Sequence, residues 1–207
     1  GEASEDDPSA IRFNGAVDNS AGGPTTFDTT GNVIWTFADA YTFSGLQTFV
    51  GEQAPEAAEG EDQENWVSTY VFEDDGVGFT FDNTNKFTVD IATLQIDRDV
   101  AVEAGTQLNV TGEGRYIFNG EVTSQQNAEY IAGAGSEFGF NGGFNGVGSQ
   151  FFKGESAVAD TTEVFNFGDV SLVREESAPG TQAVNFDQVT ANLNNLTLGD
   201  EYDVLVS

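Results

Sequence analysis

Residues 94–118 read LQIDRDVAVEAGTQLNVTGEGRYIF, and this stretch carries the pattern that decides the fold. Apolar and polar residues alternate in its short segments 94–102, 107–111 and 115–118. A period of two is typical of β-strands that bury one face. The pair Ala104-Gly105 marks a turn between the first two segments. The stretch therefore predicts short strands joined by tight turns.

The rest of the chain repeats this pattern. Turn signals such as Asp75-Gly76, Asn119-Gly120 and Pro179-Gly180 separate the segments. Short strands spaced about 8–12 residues apart are typical of sandwiches and barrels. We therefore predict an all-β protein of one or two antiparallel β-sandwich domains, immunoglobulin-like or jelly-roll-like. The further predicted strand segments are 32–37, 41–49, 66–72, 78–81, 87–91, 164–173, 183–193 and 202–206.

Composition divides the chain into four parts. Residues 1–20 form an acidic segment that we expect to be extended, and 21–132 form a β-sandwich domain. Residues 133–148 are rich in glycine and phenylalanine and are predicted to connect this domain to the remainder. Residues 149–207 are predicted to form a second β unit that packs on the first or completes it.

Two of these parts are candidates for contacts between subunits. Residues 8–20 carry apolar positions with few strand partners nearby, so we predict that they add as a strand to a neighbouring subunit. Residues 133–148 interleave phenylalanine with glycine, and exposed rings on a free linker would favour aggregation. We therefore expect these rings to pack against a neighbouring domain or subunit. The predicted assembly residues are Ile11, Phe13, Val17, Phe138, Phe140 and Phe144.

The charge balance is extreme for a chain that has the composition of a folded protein. Six basic residues face 35 acidic ones, which gives a formal net charge of −29, and lysine occurs only at Lys86 and Lys153. A hydrophobic content of 38% with 18 phenylalanines is too high for a disordered acidic tail. In multimolar salt the Debye length falls to about 3 Å or less, which screens the self-repulsion. We therefore predict a protein adapted to brine.

The same composition excludes several functions. Nucleic acid is not an expected partner, because phosphate contacts require a basic patch. No apolar run approaches the 18 residues of a membrane-spanning helix. The chain has no histidine and no cysteine, so a serine nucleophile lacks its usual base. Glycoside hydrolysis needs only two carboxylates, but the sequence singles out no pair. We predict that the protein is not an enzyme.

Calcium is the one ligand for which the sequence offers a physical argument. Carboxylate and amide oxygens clustered in loops suit a hard cation. Most carboxylates of a brine-adapted surface hold water and cations diffusely, yet we predict at least one discrete site in this chain. No organic cofactor is expected. The candidate ligands are Asp74, Asp75, Asp82, Asn83, Asp97 and Asp99.

The few arginines, unlike the numerous carboxylates, are expected to have defined roles. Loose ion pairs weaken in high salt more than desolvated pairs do, and arginine pairs with carboxylates through two parallel hydrogen bonds. Each arginine is therefore expected to have a defined partner, and at least two are expected to be partly buried in ion pairs. These residues are Arg12, Arg98, Arg115 and Arg174.

Two sequons are compatible with export. Asn109-Val110-Thr111 and Asn195-Leu196-Thr197 match the acceptor pattern for N-glycosylation. The chain opens at Gly1 without methionine, as a mature chain does after removal of a signal peptide or as a segment cut from a longer chain does. We therefore expect an extracellular protein at the cell surface, with Asn109 and Asn195 as glycosylation sites.

An internal similarity relates two regions of the chain. Residues 49–52 (FVGE) match 152–155 (FKGE), and each match follows an aromatic or apolar strand. A further block, 87–94, matches 189–196 at 36 and 35 residues after the respective glycines. Blocks in common order at two places indicate a duplication.

These motifs resemble the tandem β domains of haloarchaeal cell-surface glycoproteins, which include the S-layer glycoproteins. The resemblance is carried by the aromatic-x-Gly-Glu strand ends, by LVRE at 172–175 and by LGDEYDVLV at 198–206. It implies an N-glycosylated coat or filament subunit that depends on salt and divalent cations. S-layer glycoproteins are several times longer and end in a threonine-rich stalk and a membrane anchor. The chain is therefore expected to be a fragment or a shorter relative.

These observations lead to one function and three alternatives. We predict a structural subunit of a self-assembling cell-surface layer or filament of a halophilic archaeon, which assembles with copies of itself through strand edges. The first alternative is a capsid, tail or spike protein of a halophilic archaeal virus. The second is a carbohydrate- or ligand-binding module, and an enzyme comes last.

Overall fold

The computed structural model describes residues 8–52, 68–155, 163–177 and 179–207. Residues 1–7 of the predicted acidic segment lie outside the described residues. All regular structure in the described part is β-strand. The strands are β1 (Ser9–Phe13), β2 (Val17–Asn19), β3 (Thr25–Asp28), β4 (Val33–Phe37), β5 (Tyr41–Phe43), β6 (Leu46–Val50), β7 (Thr69–Phe72), β8 (Phe79–Phe81), β9 (Lys86–Asp90), β10 (Thr93–Ile96), β11 (Val100–Val102), β12 (Gln107–Thr111), β13 (Arg115–Phe118), β14 (Val122–Ser124), β15 (Ala128–Ala132), β16 (Glu137–Phe140), β17 (Phe144–Val147), β18 (Gln150–Gly154), β19 (Val164–Val173), β20 (Gln182–Asp187), β21 (Thr190–Leu198) and β22 (Tyr202–Val206).

The strands wind into a parallel β-solenoid of about seven turns. Successive turns stack strand on strand, which produces three faces. Face 1 contains β1, β4, β7, β10, β13, β16 and the first halves of β19 and β21. Face 2 contains β2, β5, β8, β11, β14, β17 and the second halves of β19 and β21. Face 3 contains β3, β6, β9, β12, β15, β18, β20 and β22.

The prediction of antiparallel sandwich domains is wrong, although the all-β character is confirmed. Every strand pair in the described part of the chain is parallel. Alternating strands with glycine-rich turns satisfy both architectures, because either one buries one face of each strand. In a solenoid the turn is a corner rather than a reversal, and the chain returns over itself one coil later.

The number of residues between positions that stack on each other indicates a solenoid, which the alternation within single strands does not. Thr93, Arg115 and Glu137 stack in register on face 1 at intervals of 22 residues. A period of this length is typical of solenoids. Parallel neighbours require a long crossover, and here the two remaining strands of each coil supply it.

Two columns of inward-facing side chains run through face 1 and define the core. The first column begins at Phe13 and is called the Phe column. It has an aromatic or branched aliphatic residue at all eight rungs. Its rings stack nearly parallel, with centroids 4.6 Å apart for Phe37 and Phe72 and 4.9 Å apart for Phe140 and Phe167. Paired strands lie about 4.8 Å apart, so the backbone spacing sets the stacking distance. The Phe column consists of Phe13, Phe37, Phe72, Ile96, Phe118, Phe140, Phe167 and Leu193.

The second column lies two residues earlier on each strand of face 1. Tyr116, Phe138 and Phe165 stack in it at centroid distances of 5.6 Å and 5.2 Å. The coil β10–β12 contributes only aliphatic side chains to the core and separates an N-terminal from a C-terminal group of aromatic rings. The second column consists of Ile11, Trp35, Tyr70, Leu94, Tyr116, Phe138, Phe165 and Ala191.

The segments predicted as a donated strand and as a connection both form coils of this stack. Residues 8–20 contain β1 and β2, which pair with β4 and β5 of the same chain. Residues 133–148 contain β16 and β17, which lie between coils on both sides. The strands of 149–207 continue the same faces.

The matched FVGE and FKGE sequences mark one corner of the solenoid. Gly51 follows β6 directly and Gly154 is the last residue of β18, and both strands lie on face 3. A Cβ atom on either glycine would lie 2.4 Å from a carbonyl oxygen of the next coil, that of Ile91 or Gln188. The blocks 87–94 and 189–196 are not equivalent in the same way, since the first runs from face 3 onto face 1 and the second runs from face 1 onto face 2.

Among the described residues there is no helix that is long and apolar enough to cross a membrane.

The Phe column predicts that removing an inward phenylalanine ring lowers stability much more than removing an outward one nearby in the sequence. Phe140→Ala removes a fully buried ring from the column and is expected to lower the free energy of unfolding by about 3–5 kcal/mol. Phe151→Ala is the matched control, because Phe151 points out of face 3 and should cost about 1 kcal/mol or less. Urea denaturation of both variants in one buffer measures the difference, and equal losses would contradict the column as the main source of stability.

Candidate interaction surface at the ends of the solenoid

The C-terminal coil, formed by β21 and β22, has strand partners on one side. β21 pairs with β19 along both of its halves, and β22 pairs with β20. In the described part of the chain no strand pairs with the opposite edges. Both edges therefore present backbone N–H and C=O groups that another strand can pair with.

Apart from Tyr202, which is 7% exposed, five inward side chains of this coil are apolar and uncovered. They continue the columns of the core, yet their exposed fractions range from 37% to 78%. The residues beneath them in the preceding coil, such as Phe167 and Leu172, are 5% exposed or less. Solenoids need a polar cap at such an end to remain soluble. The uncovered residues are Leu193, Leu196, Leu198, Val204 and Val206.

Charge is absent from the strand that forms most of this end. The nine residues of β21 read TANLNNLTL and contain no charged side chain, whereas 20% of the whole chain is charged. Natural edge strands are usually protected from pairing by lysine, proline or inward-pointing charges. β21 has none of these protections, so its edge is suited to association.

The N-terminal coil presents the complementary end. Ile11, Phe13 and Val17, which were predicted as assembly residues, face inward at the first rung, and Ile11 is 38% exposed. Arg12 is the one charged residue of β1 and forms two hydrogen bonds to Glu73, at 2.6 Å and 2.7 Å. This bonding lowers the pKa of the Glu73 carboxyl below its usual value.

The other three predicted assembly residues lie elsewhere. Phe138, Phe140 and Phe144 are at most 1% exposed and pack inside the chain's own core. Their rings stack or pack edge to face with neighbours above and below. Interleaved glycine allows that packing: a Cβ on Gly146, for example, would lie 2.6 Å from the Leu172 side chain. These phenylalanines therefore have no surface to offer another subunit.

The predicted calcium ligands are dispersed over separate corners. Asp82 accepts hydrogen bonds from the backbone N–H groups of Thr84 and Asn85, and these bonds lower its pKa, the Asn85 bond most. Asn83 bonds the backbone of Gly105 and Gln107. Among the described residues no three acidic side chains converge as metal ligands.

The remaining candidates serve similar local roles. Asp74 accepts a hydrogen bond from the backbone of Gly76, and Asp99 accepts one from the backbone of Glu121. Asp97 accepts from the side chain of Asn119 at the corner between faces 1 and 2. These carboxylates and the amide of Asn83 hold corners together through hydrogen bonds.

Asp75 lies in a buried ion pair instead. The guanidinium of Arg98 is 3.0 Å from Asp75 Oδ2, and both side chains are less than a tenth exposed. Arg98 also donates to the carbonyl oxygen of Glu73 at 2.5 Å and lies 4.7 Å from the ring centroid of Phe79. Arg98 is one arginine in a buried ion pair, where at least two partly buried ones were expected. The other pairs are Arg12–Glu73, Arg115–Glu137 and Arg174–Glu201.

Polar ladders on the outer surface were not predicted from the sequence. Asn141 donates to Asn119, which donates to Asp97, so one side chain per coil forms a hydrogen-bonded column. A second ladder joins Glu137, Asn166 and Asn192 and ends on β21. The 22-residue recurrence of Asp97, Asn119 and Asn141 is the sequence signal that could have revealed the first ladder.

The second ladder borders an open polar groove of about 320 Å³ beside the free edge of β21. Four asparagine side chains contribute to its lining. The groove therefore extends the C-terminal end surface on its outer side. Its lining residues are Asn141, Asn166, Phe167, Gly168, Asn192, Leu193 and Asn194.

The two sequons differ in accessibility. Asn109 lies in the middle of β12, and its side-chain oxygen is buried without a hydrogen-bond partner. Asn195 is exposed on β21 and donates to Asp169 at 2.7 Å. A glycan at Asn195 would project into solvent, whereas Asn109 is half-buried on the outer side of face 3 and is less accessible.

Comparison with known proteins finds no matching family model, no matching curated protein and no matching solved structure.

The buried Arg98–Asp75 pair predicts a larger loss of stability on removal of Arg98 than on removal of an exposed arginine. Arg98→Ala leaves the Asp75 carboxylate buried without its cation and is expected to lower the free energy of unfolding by about 3–5 kcal/mol. Arg115→Ala is the control, because its side chain is 62% exposed and such pairs contribute about 0–1 kcal/mol. Urea denaturation at low and high salt should show a loss for Arg98→Ala that salt does not abolish. Similar losses for both variants would contradict the assignment.

Proposed function

We propose that the protein is a structural subunit of an extracellular layer or filament in a halophilic archaeon and that it assembles through the ends of its solenoid. The C-terminal coil carries the proposal, since it combines a free parallel edge with uncovered apolar columns. A strand from another subunit would satisfy the backbone groups of that edge and bury the side chains.

The distribution of charge supports the same proposal. A net charge of −29 makes copies repel one another in dilute buffer. The repulsion acts between whole molecules, whereas β21 itself carries no charge. Multimolar salt screens the electrostatic repulsion between copies and strengthens apolar contacts. Salt therefore acts as the condition that permits assembly.

The exposed sequon at Asn195 fits an extracellular coat. Its side chain lies on the outer surface of face 2, so a glycan there would leave the inward columns of β21 free for contact. An enzymatic role is not part of the proposal, because the chain has no histidine or cysteine and no described acidic cluster.

Sedimentation velocity in about 0.15 M and about 3 M salt tests this function. The protein is expected to be monomeric at low salt and to form large species at high salt. The double variant Leu193→Glu/Leu196→Glu places two charges on the uncovered columns and should remain monomeric in both. Val77→Glu is the matched control, because Val77 is 62% exposed on a turn away from both ends and its variant should assemble normally.

Circular dichroism of each variant establishes that it is folded before assembly is measured. A parent protein that stays monomeric at both salt concentrations would overturn the proposed function. A double variant that assembles like the parent would overturn the assignment of the C-terminal coil.

A further inference from the structure

We propose that copies stack head to tail, with the C-terminal coil of one copy on the N-terminal coil of the next, in the register that continues the solenoid. The inference rests on the proposed function and specifies its partner, polarity and register. The occupant of the C-terminal end is thus a second copy of this chain, seated through its first coil.

The register follows from the columns of face 1. Each rung of the Phe column is in register with the next, from Phe13 at the first coil to Leu193 at the last. One further step places Phe13 of the next copy over Leu193. The same step places Ile11 over Ala191, which continues the second column. Apolar residues at the two ends therefore meet apolar residues.

On faces 2 and 3, the next copy can also continue the strands in this register. Val17 follows Phe13 by four residues and Leu196 follows Leu193 by three, so both occupy the first inward position of face 2. On face 3, the chain of pairings that begins at Thr25 ends at Val206. Pairings therefore set the register on faces 1 and 3. On face 2, β2 and β5 form a separate two-stranded sheet, so Val17 is matched to Leu196 by its position after face 1. All added pairs are parallel like those within the chain.

An outer side-chain ladder provides an independent argument for polarity. Asn166 donates to the Glu137 carboxylate, and Asn192 donates to the Asn166 amide oxygen, so each side-chain oxygen accepts from the following rung. Among the described residues no donor reaches the Asn192 oxygen at the end of this ladder. The continued register places Arg12 of the next copy at that rung. Its guanidinium has five N–H donors, of which the bonds to Asn14 and Glu73 use three.

The strands β1 and β21 bring no carboxylate to the contact, while β2, β3 and β22 carry Asp18, Asp28 and Asp203. β21 is uncharged, and the single charge of β1 is the positive Arg12. A contact between these strands brings no two carboxylates of the paired segments together, although the chain as a whole is strongly acidic. Pairing two C-terminal ends would not bring Arg12 to the asparagine ladder. A head-to-tail contact is heterologous, so it extends into a filament instead of closing as a dimer.

Cysteine cross-linking tests the register, and the parent chain has no cysteine to interfere. Ala10 and Thr190 face outward and become adjacent in the continued register, at a separation that suits a disulfide. The double variant Ala10→Cys/Thr190→Cys, assembled at high salt and oxidised, is expected to give a ladder of covalent multimers on a non-reducing gel. Ala10→Cys/Thr197→Cys is the out-of-register control and should give none.

Single variants distinguish the orientations. Thr190→Cys alone should give no covalent dimer, whereas contact between two C-terminal ends would produce one. A mixture of Ala10→Cys and Thr190→Cys proteins should give dimers and no longer species. A ladder from the out-of-register control, or dimers from Thr190→Cys alone, would overturn the inference.

Variants in which one end carries a blocking charge provide a second measurement. Its outcomes distinguish a failure of the head-to-tail inference from a failure of the proposed function. Ile11→Glu blocks the first coil and Leu193→Glu/Leu196→Glu blocks the last, so each is expected to stay monomeric and their mixture to form heterodimers. If the parent assembles but the mixture does not pair, the head-to-tail inference fails and the proposed function stands. If the parent itself does not assemble at high salt, the proposed function fails first.

Discussion

The solenoid depends on a match between two distances. Paired strands lie about 4.8 Å apart, and flat aromatic side chains stack at nearly the same separation. The Phe column uses this match at rung after rung, with centroid distances of 5.2 Å for Phe13 and Phe37 and 5.3 Å for Phe118 and Phe140. A slip of one residue would turn every column residue outward. Core packing and strand register are therefore the same constraint, and it holds along the whole stack.

That constraint also explains why the ends differ from the middle. An inner coil is covered above and below, so Phe138 and Phe140 are completely buried. The last coil follows the same inward pattern but is covered on one side, which leaves Leu193 and Leu196 exposed. The acidic residues are excluded from β21 although they abound elsewhere. The uncovered coil, the uncharged edge and the unfilled asparagine ladder coincide at one end.

Sequence patterns predicted the strands but not their arrangement. Alternation identified segments such as 115–118 and 202–206 because burial of one strand face has a period of two. The direction of neighbouring strands depends on contacts 22 residues apart, which local patterns do not report. Glycine at Gly146 suggested a flexible connection, whereas it makes room for the side chain of Leu172. The phenylalanines beside it were consequently assigned to a surface.

The site was predicted in part for the same reason. Ile11, Phe13 and Val17 were recognised as apolar residues near an end, and they do lie at the first coil. Leu193 and Val206 were not recognised, since their alternation is identical to that of a covered strand. Acidic turns suggested calcium, which stays a prediction, and Asp74, Asp82 and Asp99 accept hydrogen bonds from the backbone. Burial, rather than residue type, distinguishes these roles, and burial follows from the complete stack.

Electron cryomicroscopy of the protein in about 3 M salt tests the central claim most directly, because multimolar salt removes the repulsion between copies. The account predicts filaments one molecule wide, in which strands spaced about 4.8 Å along the axis continue without interruption across each boundary between copies. Isolated particles, or filaments whose copies meet through the outer faces of the solenoid, would contradict it.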